Sequence, residues 1–380
     1  MIGPLYTAFA LFGFNLVQAL MLMAWRDRVR KEISRSDTST SAPSGSGVTV
    51  IVPARNAAST LVALLQDLNA QDLPKALHQV IVVDDHSADD TASVVQGMML
   101  TWPQLTYVLN AGEGKKSAIT TGVALATHEH IILTDADARC DRARSRTILE
   151  KMQREDLDLL LLPVRTSGSG AFVQRVQEEE QAGLLGVAAG EALLGRPSLA
   201  NGANLAFTRS AFNGVEGYSG DRYASGDDVF LVQRMKNAGK HIGYLLDRRV
   251  LVTVEAEPTW SAFLQQRLRW AGKMRGVRGG FSCIGMIALL SPWLLLVATW
   301  KFRVASIVEE NGLETLLFLV LAWLLWMVPA VALVREVRRF LGQRGWLLTT
   351  VVSYMLFAVY APVIAVLSIF IRPKWKGRRV

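Results

Sequence analysis

Residues Ile131–Asp141 read "IILTDADARCD". Three apolar residues run into two carboxylates, Asp135 and Asp137, with only Ala136 between them. In extended backbone these side chains share a face. Two like charges that close repel, so a bound cation is the first candidate to compensate them; turn chemistry, in which Asp closes a strand by bonding to nearby backbone, is the alternative. The same design occurs twice upstream. "VTVIVPARN" begins a buried strand over Val48–Val52 that stops at Pro53, and "HQVIVVDDHS" is an apolar strand ending in Asp84 and Asp85. Leu61, Leu64, Leu65 and Leu68 carry helical spacing over Ser59–Asn69, and a second helix is expected over Asp90–Met99. Strands that end in polar residues and alternate with helices imply a parallel α/β sheet, which binds ligands at the carboxyl ends of its strands.

The chain around this core is apolar for a soluble enzyme: 380 residues, 51% hydrophobic, mean hydropathy +0.25. Runs of membrane-spanning length fall at Leu5–Trp25, Cys283–Trp300, Thr315–Val334 and Trp346–Ile371. The expected organisation is an amino-terminal anchor to residue 25, a basic and Ser/Gly-rich linker over 26–47, a catalytic domain over 48–278, a membrane region of two to three spans over 279–371, and a basic tail over 372–380. Arg26, Arg28, Arg30 and Lys31 follow the first run and place the domain in the cytoplasm. Cys140 and Cys283 suggest neither a disulfide framework nor a zinc cluster. The net charge of +8 is concentrated beside the apolar runs, at Arg335, Arg338, Arg339 and Arg344 and again in the tail, so anionic lipid explains it better than nucleic acid. If the last three runs each cross once, that basic tail ends outside. A re-entrant hairpin at Trp346–Ile371, which contains Pro362, would keep it inside.

Several other segments can carry chemistry. "EGKKSA" places Lys115 and Lys116 beside glycine, suited to phosphate or to a solvated loop. "ASGDDVFLVQRM" puts Asp227 and Asp228 before a helical pattern: a carboxylate there serves as a general base, while Ser225 and Asp228 have the spacing of a capping box. In "QQRLRW", within a helix over Thr259–Met274, Gln266, Arg269 and Trp270 share one face. Arg suits diphosphate and Trp a sugar ring, or both belong to an interfacial helix among headgroups.

Taken in order, "IVPARN", "VVDDHS", "TDAD", "SGDD" and "QRLRW" resemble the family 2 glycosyltransferases, inverting enzymes with a GT-A nucleotide-sugar domain of mixed, mostly parallel sheet. The likeness covers Val48 to about Arg278 and extends to membrane-bound bacterial synthases of cellulose, hyaluronan and poly-N-acetylglucosamine, and to lipid glycosyltransferases. It implies a UDP-sugar donor, a lipid or polysaccharide acceptor, an inner-membrane location and a divalent metal, Mg²⁺ or Mn²⁺. Asp137 and Asp135 would hold the metal and donor diphosphate. Asp84 and Asp85 would hold uridine beside Pro53, Arg55 and Asn56. Asp228 would be the base, with Asp227 beside it, and Lys115, Asn204 of "NGAN", Gln266, Arg269 and Trp270 would complete the substrate contacts. The competing readings are single-sugar transfer to a polyprenyl phosphate, ceramide-like or carotenoid lipid, and a non-catalytic nucleotide-sugar sensor.

Overall fold

A computed structural model describes residues 3–35, 45–220, 226–273, 280–305 and 311–371, with two short strands in the tail. In chain order the elements are α1 (Pro4–Arg35), β1 (Val48–Ala54), α2 (Ala58–Asn69), β2 (His78–Asp84), α3 (Thr91–Met99), β3 (Leu105–Leu109), α4 (Lys115–Leu125), β4 (His130–Thr134), β5 (Arg139–Cys140), α5 (Arg144–Arg154), β6 (Leu159–Leu161), β7 (Val164–Ser167) and α6 (Phe172–Leu193). Then follow β8 (Asn204–Thr208), α7 (Arg209–Gly214), α8 (Asp227–Asn237), β9 (Ile242–Tyr244), β10 (Val252–Glu255), α9 (Trp260–Lys273), α10 (Gly280–Ala305), α11 (Gly312–Phe340) and α12 (Leu347–Phe370).

The main sheet has the order β3-β2-β1-β4-β8-β6-β9, with β8 antiparallel to both neighbours and the other pairs parallel. Its central strands are buried on both faces, as near-continuous Val/Ile/Leu runs require. β1 does not stop at Pro53 as expected. Pairing with β4 ends at Ile51–Leu133 while pairing with β2 continues to Ala54–Asp84, so a residue lacking an N–H falls where one edge of the strand is already unpaired. A smaller sheet, β5-β10-β7, caps the domain.

The expected boundary between anchor and domain does not hold. α1 continues ten residues beyond Trp25 to Arg35, a length of about 48 Å at 1.5 Å per residue, and therefore reaches past a bilayer core of about 30 Å. Its inner half packs into the core of the α/β domain. Trp25 and Val29 of α1 and Leu333, Val337 and Phe340 of α11 belong to the same buried cluster as Ile51, Ile81 and Leu133. α6 makes this possible through small residues. A Cβ on Gly190 would lie 2.4 Å from Trp25 Cβ, and one on Gly186 would lie 2.9 Å from Leu333 Cγ. Three consecutive glutamates on α6 add polar ties. Glu178 accepts from the Gly168 N–H at 3.1 Å, Glu179 pairs with Arg338 of α11, and Glu180 pairs with Arg267 of α9 at 2.7 Å.

Among the described residues three helices, α1, α11 and α12, are long and apolar enough to cross a membrane, and the 26-residue α10 covers the second apolar run. Arg26 meets Glu336 at 3.3 Å while Ala8 clusters with Leu319, so α1 and α11 run parallel toward the domain. Ser291 donates to Asn15 at 2.9 Å and Ala298 lies by Ala8, so α10 runs the other way, as does α12. α12 is one continuous helix, not a hairpin. Pro362 leaves the Ala358 carbonyl without its helical donor, and the Trp293 indole N–H takes that place at 2.9 Å, so the break that proline would cause is repaired from a neighbouring helix.

Gly190→Ala is expected to lower stability by about 1–3 kcal/mol, because the closest obstacle is a Cβ atom and α1 must move away from α6. Thermal unfolding in detergent measures this; an unchanged midpoint would show that the α1–α6 contact is not tight.

Candidate active site

The parallel strands β1, β2 and β4 bring Pro53–Asn56, Asp84–Asp85 and Asp135–Asp137 to one edge of the sheet. Antiparallel β8 delivers the preceding loop, Asn201–Ala203, to the same edge.

The loops after β1 and β2 are laced together. Arg55 donates to the Asp85 carbonyl at 2.6 Å, the Asn56 N–H donates to Ser87 Oγ at 2.9 Å, and Asn56 Oδ1 accepts from the Ala88 N–H at 2.8 Å. Asn56 reaches this geometry at φ 45°, which asparagine tolerates better than most residues. Asp84 is 2% exposed and both its oxygens are engaged, one by the Ser87 N–H and one by the Tyr107 hydroxyl, each at 2.8 Å. Burial and that carboxylate push the Tyr107 hydroxyl up to about 12, so it stays a donor at neutral pH. Asp85 accepts from Asn110 at 2.9 Å and from the Gly114 N–H at 2.8 Å, which fixes the turn into α4.

One residue further on, Lys115 is the hub. Its ammonium lies 2.8 Å from Asp135 Oδ1 and 2.9 Å from Asp227 Oδ2, and donates to the Gly202 carbonyl at 3.4 Å. Burial works against the charge, but the two carboxylates outweigh it and hold Lys115 above the usual lysine range. Burial raises Asp135 from the usual carboxylate range, Lys115 opposes this, and Asp137 adds to it. The loop can close only over glycine: a Cβ on Gly202 would sit 2.5 Å from Asp227 Oδ2 and 3.0 Å from Lys115 Nζ.

Asp227 and Asp228 open α8, where backbone dipoles favour negative charge. The helix is entered through Gly226 at φ 92°, without a side-chain cap; Ser225 of the expected capping box lies outside the described residues. Asp228 is 6% exposed and accepts from the N–H of Val229 at 2.8 Å and of Gly202 at 3.3 Å, so the "NGAN" loop orients the carboxylate expected to act as base. Burial pulls Arg269 of α9 below the usual arginine range, while Asp135, Glu257 and Asp227 pull it back.

Three of the expected substrate contacts have partners within the protein in this structure. Lys115 engages two carboxylates. Asn204 is 1% exposed and turned into the scaffold: it donates to the Pro163 and Val250 carbonyls at 2.7 and 2.8 Å and accepts from buried Arg144 at 2.8 Å. Gln266 donates to Glu257 at 2.9 Å. Sequence reasoning passed over Arg267, whose guanidinium stacks 4.2 Å from the Trp270 ring while paired to Glu180. The run of three glutamates was the available signal for it. Asp137 is exposed and has no hydrogen bond or ion pair among the described residues.

Residues 49–215 match the family described as Glycosyl transferase family 2. The chain is 28% identical over 236 residues to a probable glycosyltransferase, YdaM, of Bacillus subtilis, covering 59% of this chain and 54% of that one. It is 21% identical over 285 residues to the poly-beta-1,6-N-acetyl-D-glucosamine synthase of Staphylococcus epidermidis, covering 74% of this chain and 65% of that one. It thus spans just over half to two thirds of the length of these relatives. Among solved structures, the mannosyltransferase PcManGT from Pyrobaculum calidifontis, in complex with GDP-Man and Mn²⁺, aligns with a TM-score of 0.57 at 23% identity over 89% of this chain and 99% of that one. The match to the family 2 glycosyltransferases is thus confined to residues 49–215 of the α/β domain, and that domain has the GT-A fold.

Lys115→Met leaves Asp135 and Asp227 facing each other uncompensated. Stability is expected to fall by about 2 kcal/mol at neutral pH, given that the group is partly exposed. Ionised carboxylates are what the ammonium stabilises, so the gap to wild type must narrow as pH falls and they protonate. Denaturant unfolding at pH 7.5 and 4.5 checks this; a pH-independent gap would contradict it.

Proposed function

We propose that the chain is a membrane-bound inverting glycosyltransferase that moves a sugar from a nucleoside-diphosphate donor, a UDP-sugar, to a hydroxyl at the membrane surface. The observation that carries this reading is the single lysine joining Asp135 of the D-x-D to Asp227 of the acidic pair, which sets the donor end and the base end of a displacement side by side. Asp228 removes the proton from the acceptor hydroxyl. The acceptor oxygen bonds to the anomeric carbon as the bond to the diphosphate breaks, and configuration inverts. Arg269 faces the diphosphate and Trp270, stiffened by Arg267, the acceptor.

The residues present fit a divalent cation. Among the described residues no cluster of three His, Cys, Asp or Glu side chains forms a self-sufficient cage. Exposed Asp137 beside Asp135 is the pair of carboxylates that Mg²⁺ or Mn²⁺ accepts when diphosphate oxygens and water complete its shell. Bound there, the ion supplies positive charge against the leaving diphosphate.

The relation to the poly-N-acetylglucosamine synthase supports a polysaccharide acceptor. A lipid acceptor is favoured by a different observation: α9, which carries Arg269 and Trp270, packs on α12, with Phe263 and Tyr360 rings 5.4 Å apart. An acceptor held in the membrane would reach the site along that seam. The domain sits on the cytoplasmic side, where Arg26, Arg28, Arg30 and Lys31 belong.

Nucleoside-diphosphate release from protein in lipid, across UDP- and GDP-sugars with Mn²⁺ or Mg²⁺, is expected to be metal-dependent and to fall by about 10²–10⁴ in Asp228→Asn. Turnover that survives this substitution would remove Asp228 as base; donor binding without turnover, with lipid extracts added, would favour the sensor reading.

A further inference from the structure

Between the amino end of α6 and the α11–α12 loop lies a cavity of about 480 Å³. Its walls include Arg175, Glu178, Arg338, Arg344, Gly345 and Trp346. It is built apart from the transfer centre, since none of these residues belongs to the loops that hold Lys115, Asp135 or Asp228. Arg338 is 6% exposed. It pairs with Glu179 and donates to the Arg344 carbonyl at 2.9 Å, and its buried Nε–H has no partner among the described residues. Gly345 lets the loop close over that guanidinium, for a Cβ there would lie 2.4 Å from it. Three arginines, Arg175, Arg338 and Arg344, stand against two glutamates, Glu178 and Glu179, so one positive charge remains.

The position of the cavity narrows its ligand. α11 ends at Phe340 and α12 begins at Leu347, so the cavity lies where two candidate spans leave the membrane on the domain side. Trp346 is 82% exposed, followed by Leu347 at 55% and Leu348 at 71%. Exposed apolar side chains directly beside a positively charged cavity match a molecule with an acyl portion and an anionic head, and an exposed Trp is at home at headgroup depth.

We propose that this cavity binds the phosphodiester headgroup of an anionic phospholipid, with Arg175 and Arg344 contacting the phosphate and Trp346 the glycerol-acyl boundary. Its single surplus charge complements the single charge of a phosphodiester, and guanidinium forks suit phosphate oxygens.

The test is native mass spectrometry of the full chain released from nanodiscs of phosphatidylglycerol and phosphatidylcholine. Wild type is expected to retain phosphatidylglycerol selectively. Arg175→Gln/Arg344→Gln should weaken that retention by at least tenfold, and Trp346→Ala should weaken it while leaving the charge unchanged. Both arginines are exposed, so the double variant should fold; Arg338 is left in place because it anchors Glu179. Equal retention of the two lipids, or equal retention by the double variant, would overturn the proposal. So would full displacement of the lipid by millimolar inorganic phosphate, which would make this a site for a free anion.

Discussion

The ammonium of Lys115 is the interaction on which the site depends. Asp135 ends a strand in the middle of the sheet and Asp227 starts a helix more than ninety residues later; without a cation between them, two carboxylates in a half-buried cleft would repel. The clamp in turn relies on Asp85, which fixes the Gly114 turn that launches Lys115, and on Gly202, where any side chain would intrude. Asp135, Asp137, Asp227 and Asp228 nonetheless outnumber Lys115 and Arg269. A cleft with that balance disfavours a bare diphosphate and favours one that arrives with a divalent cation.

A second constraint is mechanical. α6 presents glycine to α1 and α11 and, nearer its amino end, glutamate to α11 and α9. The helices α1 and α11, long and apolar enough to cross a membrane, are therefore part of the domain's own core rather than tethered to it. Buried ion pairs such as Glu180–Arg267 add little net stability, but they fix orientation. Here they set the angle of α9, and with it Arg269 and Trp270, against α12.

Much of this was legible in the sequence. Strands that end in Asp84, Asp85, Asp135 and Asp137 declare themselves because buried parallel strands must be apolar and their ends polar. The helix behind Leu61, Leu64, Leu65 and Leu68 follows from periodicity alone, and begins within a residue of its expected start. Tertiary partners were not legible. Nothing local says that Lys115 reaches two carboxylates, that Asn204 turns inward to Arg144, or that α1 runs on to Arg35. Each is decided by a group distant in sequence: Asp227, Arg144, and the glycine face of α6. Pro362 left a hairpin and a single span both open for the same reason, since the donor that repairs its helix is Trp293.

The central claim is that this carboxylate cluster binds a metal–nucleoside diphosphate. Electron paramagnetic resonance of Mn²⁺, titrated into the protein with and without UDP or GDP, tests it most directly. The account predicts tight Mn²⁺ binding that requires nucleotide, is lost in Asp137→Asn and persists in Asp228→Asn. Mn²⁺ binding that is indifferent to Asp137, or nucleotide binding that is equally tight without metal, would contradict it.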